Sequence, residues 1–201
     1  MRYLLIAPLC FLLLSGYLFH LSAQEITKSK PVWGVRYSTG YTTQVKKDQN
    51  YGAVHFMPVF TAEFNNSCFY LGPEYAYFLP PYPGGSIIYN KNGWGVNFGY
   101  RISSREFSSN LKVFCQFNNS IYQIRSRFFQ SMGTRSFDKK LIFTEHNLAI
   151  GLNYRLSRSI NLFSGFGTSL ISSIGDQSAY LDMEPFVPTV LLGIDYKFGP
   201  R

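Results

Sequence analysis

A chain of 201 residues with 15 Tyr, 19 Phe and 17 Gly at a mean hydropathy near zero spreads its apolar residues among polar ones. Beyond its first two dozen residues it holds no apolar run long enough for a helix to cross a bilayer, which excludes a helical membrane bundle. Its net charge of +8 comes without zinc-finger spacing, an RNA-binding signature or a basic helix, so no nucleic-acid partner is expected.

The chain opens with Arg2, an apolar run over residues 4–21, and then Leu21-Ser22-Ala23-Gln24. A positive end, a hydrophobic stretch and a small residue at the cut are the parts of a secretory signal. Pro8, Ser15, Gly16 and His20 make the run a poor anchor, so cleavage is expected after Ala23. Residues 1–23 are then the signal peptide and 24–201 a single domain, with 18 basic against 11 acidic residues, a charge of +7. Cys10 leaves with the signal. Cys68 and Cys115 remain, on opposite faces of their strands, and no disulfide is expected between them.

Eight segments read as strands. The first, 32–42, places Trp33, Val35, Tyr37, Thr39 and Tyr41 on one face, and the second, 53–64, aligns Val54, Phe56, Phe60, Ala62 and Phe64. Asn65-Asn66-Ser67 forms a tight turn into the third, 68–79, with Phe69, Leu71, Tyr75, Tyr77 and Leu79 in register. Pro58 and Pro73 fall nearly opposite each other there, and a bulge is expected. The fourth, 93–102, alternates Trp94, Val96, Phe98, Tyr100 and Ile102 with Gly95, Asn97, Gly99 and Arg101. The fifth, about 111–122, has Leu111, Val113, Cys115 and Phe117 on its apolar face.

The sixth, 143–156, sets Leu148, Ile150, Leu152, Tyr154 and Leu156 against Asn147, Gly151, Asn153 and Arg155. The seventh, 160–171, is irregular, because Phe163 and Ile171 fall out of phase with Leu162 and Phe166. The eighth, 189–198, presents Val190, Leu192, Ile194, Tyr196 and Phe198 on one face and Leu191, Gly193, Asp195 and Lys197 on the other. In strands four, six and eight the fifteen outward positions just named are all apolar. At 46% hydrophobic content this has odds on the order of 1 in 10⁵. The irregular fifth and seventh segments leave ten strands as an alternative to eight.

Connections alternate between long (43–52, 80–92, 123–142, 172–186) and short (65–67, 157–159), with a medium one at 103–110. Long loops on one side, short turns on the other and an even strand number describe an all-β, closed, antiparallel up-and-down transmembrane barrel with both ends in the periplasm. Trp33, Phe64, Phe69, Tyr100, Tyr154, Tyr196 and Phe198 then form a periplasmic aromatic girdle, and Tyr41, Tyr77 and Trp94 an outer one. A soluble lipocalin-like barrel is the alternative, with the aromatic faces turned inward and Arg36, Arg101, Arg155 and Lys197 outward.

Taken with the terminal aromatic Phe198, the pattern over about 165 residues resembles the outer-membrane protein β-barrel domain family, the small porin-like barrels of the OmpA and OmpX type in Gram-negative bacteria. The resemblance implies the bacterial outer membrane as location, outer-membrane lipid and lipopolysaccharide as surroundings, and the barrel-assembly machinery as reader of the last strand. It implies a non-enzymatic envelope or surface-contact role, and a monomer is the expectation. A narrow channel or small-solute-binding barrel and a lipid A modifying enzyme are the alternatives.

In the phase above the lumen receives Arg36, Arg101, Lys112, Arg155 and Lys197 with Glu63, Glu74 and Asp195. Unpaired charge in so narrow a space is costly, so these should pair into a polar plug low in the barrel. Gly34, Gly95, Gly99, Gly151, Gly165 and Gly193 make room for them. The 123–142 connection carries Arg125, Arg127, Arg135, Lys139 and Lys140 against Asp138, interleaved with Phe128, Phe129 and Phe137, and is a candidate contact for lipopolysaccharide phosphates. His146 follows Glu145 on the lipid face. The deacylase pattern wants a Ser two residues on, where Leu148 stands, and there is no G-x-S-x-G elbow, so no catalytic residue is expected. With His55 and His146 on different strands and no clustered carboxylates, neither a metal nor a cofactor is expected.

Overall fold

In the computed structural model, residues 30–46, 49–79, 88–104, 108, 110–129, 136–174 and 186–198 are described. The expected signal peptide, residues 1–23, lies outside them. Eight strands, β1 (Val32–Lys46), β2 (Gln49–Phe64), β3 (Ser67–Phe78), β4 (Ile88–Ser103), β5 (Leu111–Phe129), β6 (Ser136–Arg155), β7 (Ile160–Ile174) and β8 (Phe186–Lys197), pair in sequence order. β8 closes on β1 in antiparallel register, with Val35 opposite Tyr196 and Tyr41 opposite Val190. The expected eight strands and the expected seam therefore stand, and the ten-stranded alternative does not.

Polarity is inverted relative to a soluble barrel. Trp33, Phe60, Trp94, Ile150, Phe166 and Leu192 are exposed on the outer wall, while Arg36, Arg101, Glu74 and Asp195 are buried in the lumen. This is opposite to what the lipocalin-like alternative requires. Tyr100 departs from the girdle expected of it. It points outward but is only 4% exposed, because its ring lies 4.7 Å from that of Phe69 and its hydroxyl is 2.9 Å from Ser67 Oγ.

The fifth and seventh strands read poorly in sequence because the lumen takes aromatics as well as polar groups. Phe114, Tyr122 and Phe163 are buried inside, and Ile171 packs on an interior cluster of Tyr122, Ile124, Leu141 and Phe143. Large apolar residues on both faces cancel the alternation. Glycine makes the space. A Cβ on Gly99 would stand 2.3 Å from the Tyr70 hydroxyl, and one on Gly193 would stand 2.4 Å from Phe163 Cζ. At these two sites the long side chains given room are rings, those of Tyr70 and Phe163.

Two connections expected to be long are largely strand. β1 and β2 pair to Lys46 opposite Gln49, so only residues 47–48 separate them where a connection over 43–52 was expected. β5 and β6 pair as far as Phe129 opposite Ser136. Along these stretches the ladder continues by backbone hydrogen bonding with no alternation in the sequence to announce it.

The prolines produce no bulge. Pairing of β2 with β3 lapses between Phe56 opposite Tyr75 and Phe60 opposite Leu71, and resumes in the same register. Pro58 and Pro73 face each other inside that gap, so the missing N–H donors coincide and one interruption serves both. The register shift lies elsewhere, between Asn90 and Gly93 of β4. The Asn65-Asn66 turn is as expected, with Asn65 at a φ of 51°, a conformation that Asn tolerates.

Candidate functional site

The lumen is built in layers, each from inward positions of several strands. In the lower layer Asp195 of β8 accepts from two guanidiniums. Arg36 of β1 donates through Nε to Oδ1 and through Nη2 to Oδ2 at 3.4 Å, and Arg101 of β4 donates through Nη1 to Oδ2 at 3.2 Å. Arg101 also donates through Nε to Gln116 Oε1 at 2.7 Å, and Gln116 passes a hydrogen bond to Asn118 at 3.0 Å.

Rings flank both cations. Arg101 lies 4.1 Å from the Phe114 centroid and 4.0 Å from that of Phe163, and Arg36 lies 4.8 Å from Tyr70. Stacking on aromatic faces suits a guanidinium, which is more weakly hydrated than an ammonium. With two bases and one acid the layer carries an excess of one positive charge. Arg36 Nη1 is buried with no hydrogen-bond partner among the described residues.

Toward the end of the barrel where β1 starts and β8 finishes, Lys197 pairs with Glu63, and Lys112 and Arg155 line a cavity of about 30 Å³ beside them. Seven of the eight expected lumen charges thus lie in the lower part of the barrel. Glu74 does not join them. Between it and the lower layer stands an apolar cluster of Met57, Val59, Tyr70, Ala149 and Leu191.

Glu74 of β3 belongs to an upper layer that the sequence reading missed. Its Oε1 lies 2.7 Å from His55 Nδ1 on β2, whose Nε2 lies 3.0 Å from Thr42 Oγ1 on β1 and 3.9 Å from Glu145 Oε2 on β6. Tyr122 donates to Glu145 Oε2 at 3.2 Å and Ser169 donates to Oε1 at 2.6 Å. His55, Glu74 and Glu145 are all buried. The clustered carboxylates that sequence reasoning found lacking are therefore present, 71 positions apart in the chain. The available clue was parity, since Glu145 is in phase with the inward Asn147 and Gly151. Inward Leu141 and Phe143 obscured it.

Outside, His146 faces away from the lumen, as expected, and its Nδ1 lies 2.7 Å from Asn119 Oδ1. Its neighbour Glu145 points the other way, into the lumen, so the two do not form an acid–base pair. Of the five bases proposed for lipopolysaccharide, Arg125 and Arg127 lie on β5 and Lys139 and Lys140 on β6, with Arg125 opposite Lys140 and Arg127 opposite Asp138. Lys140 is exposed, and Arg135 lies outside the described residues. Cys68 is a free thiol in the lumen and Cys115 a free thiol on the outer wall.

The sequence matches no protein-family model and no curated protein. Among solved structures the fold is similar to Neisserial surface protein A at a TM-score of 0.57 and 12% identity, covering 83% of this chain and 97% of that one. Weaker similarities include Ail of Yersinia pestis, with a TM-score of 0.44 and 12% identity over 85% of this chain and 100% of that one. Another is the N-terminal β-barrel domain of Pseudomonas aeruginosa OprF, with a TM-score of 0.46 and 9% identity over 84% and 100%. What the first likeness carries is the fold, an eight-stranded closed barrel of the kind the strand pattern resembles.

Proposed function

We propose that this protein is a non-enzymatic barrel of the bacterial outer membrane that holds extracellular hairpins rigidly at the cell surface. The observation that carries this reading is the pairing of an apolar outer wall with a lumen filled by its own side chains. A closed sheet leaves no unsatisfied backbone in lipid, which is what a membrane-spanning strand structure needs. The Arg36–Asp195–Arg101 and His55–Glu74–Glu145 layers, with apolar clusters between and above them, interrupt any water column. Cavities beside the two layers are about 20 Å³ each, room for one water. That supports a structural plug over the channel alternative.

The β5–β6 hairpin is the surface we assign to contact with lipopolysaccharide phosphates, through Arg125, Arg127, Arg135, Lys139 and Lys140. Purified protein in planar bilayers tests the plug. The expected result is an absence of reproducible conductance steps, and stable unitary steps overturn the reading in favour of a channel.

A further inference from the structure

We propose that the upper lumen layer is a binding site for one divalent transition-metal cation of the zinc class, held by His55, Glu74 and Glu145. The three side chains come from β2, β3 and β6, and one ligand atom from each lies within 4.8 Å of the other two. Zinc bonds of about 2.0–2.2 Å in a tetrahedron set ligand atoms roughly 3.3 Å apart, so the widest-spaced pair needs to close by no more than about 1.5 Å. A cavity of about 20 Å³, lined by all three residues and by Thr42, gives the ion its place.

A second observation points to a missing partner. Glu74 is 1% exposed, and its Oε2 has no hydrogen bond among the described residues. A buried carboxylate oxygen without a donor is costly, and natural structures rarely keep one without a ligand, an ion or a water.

Charge leads to the same conclusion. Two carboxylates face one imidazole, so acidic groups outnumber basic ones in the layer. No basic side chain other than His55 pairs with either carboxylate among the described residues. With a divalent ion and a neutral imidazole the sum is zero, and neutral imidazole is the form that binds metal. The surroundings also suit a ligand set. Ser169 and Tyr122 donate to Glu145, as hydrogen bonds commonly fix a metal-binding carboxylate. One nitrogen and two carboxylates favour zinc-like ions over calcium, which takes six to eight oxygens.

The apolar cluster of Tyr122, Ile124, Leu141 and Phe143 covers the layer, so the ion enters as the barrel folds. The test refolds residues 24–201, which hold the whole barrel, in detergent with Zn²⁺, removes free ion and counts bound zinc on material that migrates as the folded band. About one zinc per chain is expected, falling at least about tenfold in Glu74→Gln and Glu145→Gln and unchanged in His146→Ala. Zinc retained equally by the two Gln variants, or absent from the native chain, overturns the proposal. Should the Gln variants fail to fold, cobalt in the native chain decides. Intense visible bands of four- or five-coordinate Co²⁺ support the site, and the pale spectrum of the hexaaqua ion overturns it.

Discussion

Asp195 sits between Arg36 and Arg101, and the physics of that one carboxylate sets the stability of the lower lumen. Asp195→Asn keeps the shape but leaves two guanidiniums buried without an anion, a loss of about 3–5 kcal/mol by the usual cost of breaking a buried pair. Arg101→Met removes a cation from a layer that already has one too many, so its cost should be smaller despite the loss of the Gln116 hydrogen bonds. Equilibrium unfolding in urea with lipid vesicles measures both. A cost for Arg101→Met equal to that of Asp195→Asn would show that charge balance does not govern the layer. The members of this layer were legible in sequence because Arg36, Arg101 and Asp195 each interrupt an apolar alternation at an inward position. Their contacts with Phe114 and Phe163 were not, since those rings occupy inward positions of the two strands whose alternation they blur.

For the strands, alternation is informative only where one face joins the apolar belt of the outer wall and the other lines the lumen. β4, β6 and β8 show it cleanly across that belt, and their registers follow from it. Beyond the belt it disappears, which is why the β5–β6 hairpin looked like a loop. Arg125 stands opposite Lys140 in the backbone register of that hairpin. Replacing Arg125, Arg127, Arg135, Lys139 and Lys140 by Gln should weaken binding to lipopolysaccharide micelles about tenfold or more and flatten its salt dependence. Unchanged binding assigns the hairpin a purely structural part.

At the scale of the whole barrel, closure joins Val32–Lys46 to Phe186–Lys197, and the ladder has no free edge. A closed sheet resists detergent, so unboiled protein should run as a compact band on a denaturing gel and shift on boiling. Identical migration with and without boiling, together with solubility in plain buffer, would contradict the membrane reading. Closure also decides what the lumen can do. It brings Glu74 and Glu145 into one layer from β3 and β6, strands that are not neighbours in the sheet.

By itself the sequence determined the architecture: period-two alternation with apolar outward faces, short turns at one end of the barrel, and a closing strand in phase with the rest. Those are local properties, carried by each strand independently of its partners. The tertiary structure alone decided the length of the hairpins above the belt, the division of the lumen into two charged layers, and the meeting of His55, Glu74 and Glu145. Each depends on which residues of distant strands share a height in the barrel. Shear and closure set that height, and no single strand encodes it.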